Sequence, residues 1–222
     1  MAESINRLLP TDQISEIVSM ALLVYSIPRV IERVDALEAL YGLGEDWRIK
    51  DAITWWETNT IRANYLLIAI TDPREKTSRA LTMDVLQQEP FQLRRVASVY
   101  IGDRGTGTKE QAEWTLETVQ RLNIQSLALF VSPYHCLRAY LTVLKTLLAA
   151  GVRIPLIPAP TPIAPDRPIP EVEVDAWQLV PGEVERITKY QKQGDVATID
   201  ELKEYLSWLW RQPILADKEA VK

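Results

Sequence analysis

The sequence predicts an α/β protein: a three-layer sandwich with a mainly parallel sheet of about five strands, plus C-terminal helices. Apolar runs that read as strands (YLLIAI, RRVASVYIG, SLALFVS, VRIPLIP) alternate with amphipathic stretches of helical period. The runs are apolar throughout rather than alternating, as expected of strands covered on both faces. Right-handed crossovers then set the turns that follow the strands along one edge of the sheet, the edge where open sheets bind ligands.

Residues 1–13 are a polar lead-in. For residues 14–25 a strand ending at Tyr25 is the preferred reading, and a helix capped by Thr11 is the alternative, since Ile14, Val18 and Leu22 also fit a helical spacing. SIPRVIERVDALEALYGLG reads as a helix with Pro28 in its first turn, a stripe of Val30, Val34, Ala36, Leu37 and Leu40, and Gly42 and Gly44 as its stop. DWRIKDAITWWETNTIRAN reads as a second helix with Ile49, Ile53, Trp56 and Ile61 on one side, leading into the strand YLLIAI. TDPREKTSRALTMDVLQQE is helical after Pro73, with Ala80, Met83, Val85 and Leu86 inward, and RRVASVYIG is the next strand. KEQAEWTLETVQRLN is an amphipathic helix, SLALFVS a strand, HCLRAYLTVLKTLLAAG an apolar helix stopped by Gly151, and VRIPLIP the last strand.

Five of the fourteen prolines fall between Pro160 and Pro170, a density that excludes regular helix. The chain therefore divides into an α/β domain over 1–158, a proline-rich arm or linker over 159–180, and a helical extension over 181–222 packed on the domain or on a partner. In the extension, PGEVERITKYQKQ is one helix and TIDELKEYLSWLWRQP another, opened by a Thr198–Glu201 capping box. Leu202, Tyr205, Leu206, Leu209 and Trp210 give that last helix a large apolar face, which suggests homodimerisation as one way of covering it.

The net charge of −5 and pI near 5.1 argue against a nucleic-acid binder, while leaving room for a local basic pocket. One cysteine, Cys136, and one histidine, His135, exclude a disulfide framework, fit a reducing, cytoplasmic setting and make a metal site unexpected. No run approaches the ~20 apolar residues that span a bilayer.

The polar turns carry the candidate site. In GDRGTGTKEQ, glycines 102, 105 and 107 bring backbone N–H groups close to a ligand, Thr106 and Thr108 add hydroxyls, and the helix that follows offers its positive end. The structural alternative is that Thr108 caps the helix and Asp103 organises the turn. In SPYHCLRAY, Pro133 ends the strand at Ser132, and His135 and Arg138 share a helical face. Arg138 would clamp two oxygens of an anion and His135 would donate a hydrogen bond or move a proton; capping and a surface ion pair are the alternative. Nothing like G-x-S-x-G surrounds Ser132, and Cys136 reads as a buried thiol. The turns around Ser26 and Arg29, and around Thr71, Asp72, Arg74 and Glu75, lack glycine and are weaker; Arg33 and Arg74 could still reach the shared edge.

The order DRGTGTKEQA, helix, strand, SPYHCLRA, helix, strand resembles the YdcF/SanA-like family, a bacterial domain of unknown function. Its first turn pattern, D/N-R-S-T-N-T-x-E-N-A, is matched by Arg104, Thr106, Thr108, Glu110 and Ala112, and its later S/K-x-Y-H-x-x-R-A segment by Tyr134, His135, Arg138 and Ala139. Gly105 stands where the family has Ser and Gly107 where it has Asn, and the family's glycine-rich turns after its first two strands read YSIP and AITDPRE here. The resemblance implies a Rossmann-like fold and an S-adenosylmethionine-like ligand, and no reaction; from the polar turns themselves a nucleotide or a sugar phosphate is an equal candidate as cofactor or ligand.

The expected function is the binding of a small anionic or nucleotide-like molecule at the C-terminal edge of the sheet. Arg104, Thr106, Thr108 and Glu110 form one wall, Ser132, Tyr134 and Arg138 the other, with His135 as acid/base and Glu110 orienting Arg104, Arg138 or a ligand hydroxyl. The alternative is a non-catalytic interaction or scaffold protein that self-associates through its C-terminal helices.

Overall fold

A computed structural model describes residues 11–28, 33–42, 45–70, 80–102, 105–164, 166–169 and 174–216. Five parallel strands, β1 (Arg33–Tyr41), β2 (Arg62–Ile70), β3 (Val99–Ile101), β4 (Leu127–Val131) and β5 (Leu156–Pro160), form one sheet in the order β3-β2-β1-β4-β5. The chain runs outward from β1 to β3, then crosses back to β4 on the other side of β1. This is doubly wound α/β topology, and its order reverses between β1 and β4. Right-handed crossovers place α2 (Asp46–Thr58) on one face and α4 (Thr108–Leu122) and α5 (Pro133–Ala149) on the other. Accordingly α4 packs on α5, while α2 lies on β1 and β2.

Residues 14–25 are not a strand. They lie in α1 (Thr11–Ser26), which buries Ile17, Met20 and Val24 at steps of three and four and leaves Ile14, Val18 and Leu22 exposed. A strand would have buried alternate residues. The helix expected over 26–44 is also corrected: where described, it is the central strand β1. RVDALEALY has good helix formers and a helix-like spacing, but from Ala36 to Tyr41 every side chain is buried, Glu38 included. A strand covered on both faces shows no period of two, so burial overrides propensity. Arg33 opens β1 at the opposite edge from the post-strand turns and hydrogen-bonds Asn64 at 3.0 Å, so it cannot serve an anion at the shared edge.

Other boundaries move for local reasons. α2 stops at Thr58 because Asn59 turns left-handed, which frees Ile61 and Arg62 to lead into β2. Of the helix expected after Pro73, residues 71–79 lie outside the described residues; α3 (Met83–Gln87) is a single turn capped by Thr82. Only Val99–Ile101 of RRVASVYIG pairs as strand. Beyond β5 the proline-rich arm contains the short antiparallel pair β6 (Pro168–Ile169) and β7 (Val174–Asp175). A helix then starts earlier than expected: α6 (Ala176–Gln193) opens on a capping box between Asp175 and Gln178.

α7 (Ile199–Leu209) begins at the Thr198–Glu201 capping box, with N–H to side-chain oxygen distances of 2.8 and 3.2 Å, and α8 (Pro213–Ala216) is a final turn. α6 lies on α5, and α1 touches α5, α6 and α7. Ile187, Leu202, Tyr205, Leu206 and Leu209 join the core of the α/β domain, whereas Trp177, Val180 and Trp210 stay exposed. Tyr205 ties α7 to the sheet edge, donating to the Ile154 carbonyl (2.9 Å) and accepting from the Leu156 amide (2.7 Å). No helix among the described residues is long and apolar enough to cross a membrane.

Candidate functional site

The carboxyl ends of β1 and β4 lie side by side where the strand order reverses, and a cavity of ≈ 490 Å³ opens there. Helices α2, α4 and α5 all point their N-terminal turns at it, through Glu45 and Arg48, through 107–111, and through Tyr134 and His135. None of the three has a side-chain cap on its first-turn N–H groups. α6 closes the remaining side with Leu179, Glu183, Arg186 and Tyr190.

α4 is fixed to the sheet by Gln111, whose buried amide donates at 2.9 Å to the carbonyls of both Tyr41 and Ala69, at the ends of β1 and β2. Gly105 makes the approach possible. Its φ of +147° is a region side chains avoid, and a Cβ there would sit 3.1 Å from the Ile70 carbonyl. Gly107 is different. Its backbone is extended, and a Cβ would meet only Glu110 Oε2 at 3.5 Å, so its lack of a side chain leaves the start of α4 open to the cavity.

One cluster centres on Glu183. Arg138 donates to it twice, Nε to Oε2 at 2.5 Å and Nη2 to Oε1 at 3.1 Å, and Arg186 Nη1 donates to Oε1 at 2.9 Å. His135 Nδ1 lies 3.1 Å from Oε2. Burial alone would raise the Glu183 carboxyl, but hydrogen bonds and charge from His135 and Arg138 hold it far below the usual carboxylate range. His135 moves the other way. Burial first, and the Arg138 charge second, push its pKa below the ordinary value despite Glu183. The imidazole is therefore neutral at pH 7, with its proton on the nitrogen facing the carboxylate. Its other nitrogen, Nε2, is 3.5 Å from Thr108 Oγ1, which accepts from Arg138 Nη1 at 2.9 Å.

The second cluster lies deeper, around Glu45. Arg48 pairs with Glu45, bonds Ser132 Oγ and donates to the Leu40 carbonyl at 2.6 Å. Ser132 donates to Glu45 Oε1 at 3.1 Å, and the Tyr134 hydroxyl donates to the same oxygen. Burial, and then the Glu45 charge, keep the Tyr134 phenol well above its ordinary pKa, so it stays a donor.

Six of the residues expected at the site, Thr106, Thr108, Glu110, Tyr134, His135 and Arg138, line this one cavity. Ser132 does not; it is fully buried beneath the wall, occupied by Arg48 and Glu45. Arg104, like Asp103, Arg29 and Arg74, lies outside the described residues. Arg138 does grip two oxygens, but they belong to Glu183. Glu110 takes a hydrogen bond from Thr106 at 3.2 Å, and it is Glu183 that orients Arg138. Sequence reasoning missed Glu45, Arg48, Glu183 and Arg186. The residues around Glu45 were read as the gap between two helices, which hid a strand-to-helix turn; Glu183 and Arg186 sit in an ordinary amphipathic helix that carries no local signal.

Among the lining side chains, Arg48, Lys109, Arg138 and Arg186 are balanced by Glu45, Glu110, Glu183 and Asp195. With the side chains balanced, the N-terminal dipoles of the three helices add partial positive charge on the cavity side. Among the described residues no group of His, Cys, Asp and Glu could hold a metal ion. Fold and site together define a doubly wound α/β protein with a polar cavity at its switch point. Neither a family model nor a curated protein matches the chain.

Proposed function

We propose that this protein binds a small anionic or nucleotide-like molecule in the switch-point cavity, with the anionic group against the first turn of α4. One observation carries the reading: three helix N-termini without side-chain caps converge on one cavity whose side-chain charges already cancel. Thr106 and Thr108 supply hydroxyls, and Lys109 and Arg186, about half exposed, stand at the rim paired with Asp195 and Glu183. The resemblance to the YdcF/SanA-like family supports the same site and adds S-adenosylmethionine to the nucleotides and sugar phosphates that such a cavity suits. The buried lone Cys136 suits a cytoplasmic protein.

Calorimetric titration of the full chain with inorganic phosphate, AMP, glucose 6-phosphate and S-adenosylmethionine tests the reading. At least one should bind, and Gly107→Asp should weaken it tenfold or more, because a carboxylate cap takes the N–H groups that the anion needs and repels it. The same change should leave the fold within about 0.5 kcal/mol of wild type. No binding by any of the four, or equal binding by the variant, overturns it.

A second reading, an interaction protein that self-associates, is supported by Trp177, Val180 and Trp210 exposed on the C-terminal helices and by Ile14, Val18 and Leu22 on α1. Its test is the mass in solution.

A further inference from the structure

The hydrogen bonds around His135 have a direction. Glu183 is ionised and can only accept, so the one proton of the neutral imidazole sits on Nδ1. Nε2 then has a lone pair directed toward Thr108. Thr108 Oγ1 already receives Arg138 Nη1 at 2.9 Å, so its own hydrogen turns toward Nε2, 3.5 Å away. That separation is long for a hydrogen bond and leaves Nε2 as a weakly satisfied acceptor on the wall of the cavity. His135 itself is only 8 % exposed, so its nitrogen has little other solvent to turn to.

We propose that Glu183, His135 and Thr108 form one hydrogen-bond relay, in which His135 Nε2 accepts the hydroxyl of an anionic ligand lodged beside Thr108, and Glu183 is the residue that positions the imidazole. The inference rests on the anion-binding reading and narrows its ligand class to small hydroxylated anions, such as a phosphorylated alcohol. The anionic group faces the start of α4, and the hydroxyl reaches Nε2.

No covalent bond forms or breaks: the ligand O–H donates to Nε2 while Nδ1–H donates to the Glu183 carboxylate, so the hydroxyl is fixed against the ring. The charged groups around the imidazole are Glu45 and Arg48 at the start of α2, Lys109 and Glu110 from α4, Arg138 from α5, Glu183 and Arg186 from α6, and Asp195 just after it. Among the described residues only Glu183 hydrogen-bonds Nδ1, which makes it the group that selects the tautomer.

His135 is the sole histidine, so nitrogen-15 spectra of the full chain report its imidazole without assignment. In ligand-free protein the relay requires a neutral ring at pH 7 with the proton on Nδ1 and a titration midpoint below 6.5. Glu183→Gln, which still accepts from Nδ1, keeps the tautomer and lowers the midpoint further. Glu183→Leu releases the tautomer, and the Nε2–H form appears. Thr108→Val shifts Nε2 alone and keeps the test open should a Glu183 variant fail to fold.

A wild-type ring protonated on Nε2, an imidazolium at pH 7, or a Glu183→Gln spectrum identical to wild type overturns the relay. Propyl phosphate and 3-hydroxypropyl phosphate then test the ligand class. Only the hydroxylated one should move the Nε2 resonance, and equal shifts overturn the assigned hydroxyl. The four-ligand titration separates the two levels, since failure of all four to bind removes the anion reading while the ligand-free spectra judge the relay.

Discussion

Glu38 is the least expected residue in the sheet: a carboxylic acid in the middle of β1 with no exposure at all. Its Oε1 is paired with the Thr115 hydroxyl, which also lies 2.8 Å from the Gln111 carbonyl. Oε2 has no hydrogen-bond partner among the described residues, so a charge on the carboxyl is poorly compensated and its protonated form is favoured. Burial explains why: it pushes Glu38 up to about 8, and the Thr115 bond offsets that only in part. The folded state thus holds a proton that the unfolded chain releases above the ordinary Glu range. Stability is fully present below that range and falls as pH rises toward 8, by about 1.4 kcal/mol per unit. Urea unfolding at pH 7 and pH 8 should show the fall in wild type and lose it in Glu38→Gln, which keeps the shape but cannot ionise. Equal slopes in the two proteins would mean that Glu38 is not the source. Below pH 6.5 His135 acts in the opposite sense: its lowered pKa means the unfolded chain binds the proton more readily, so acid removes stability there.

Among the elements, α1 shows how far an apolar stripe can mislead. Ile14, Val18 and Leu22 form a stripe of period four and face outward; Ile17, Met20 and Val24 form the one that packs on the domain. Tyr25, donating to the Pro133 carbonyl at 3.1 Å, then pins the helix beside the start of α5, next to the site. Met20→Ala should therefore cost about 2–5 kcal/mol, and Leu22→Lys less than about 0.5 kcal/mol, in chemical denaturation. The reverse ranking would mean that the exposed face is the buried one. The same ambiguity hid β1. Its residues Val34, Leu37 and Leu40 sit at a helical spacing, and only the sheet on either side makes them a strand. By contrast α4, β4 and α5 were legible, because their glycine and proline punctuation and their long periodic faces agree with their packing. So were Thr106 to Glu110 and Tyr134 to Arg138, which inherit their positions from strand ends. Glu45, Arg48 and Glu183 were not, since only the tertiary fold brings them to the cavity.

For the molecule as a whole, the C-terminal helices are part of the domain rather than an appendage beside it. Leu202, Tyr205, Leu206 and Leu209 complete its core, and Glu183 completes its site. Much of the apolar face that suggested homodimerisation is covered by the chain's own core. What remains for a second copy is Trp177, Val180 and Trp210, with the outer stripe of α1. If these faces mediate association, light scattering at micromolar concentration should give twice the 25.3 kDa chain mass, falling to one chain in Trp177→Lys/Trp210→Lys. A wild-type monomer rules the interface out.

The entry of Glu183 from α6 also sets an order in time. During synthesis all five strands and both polar turns leave the ribosome before residue 183 does. Until α6 docks, His135 has no carboxylate at Nδ1, and Arg138 lacks the partner that Glu183 supplies. Competence arrives with the last helices rather than with the sheet. A nascent or truncated chain that stops short of α6 would have the turns of the site without its chemistry.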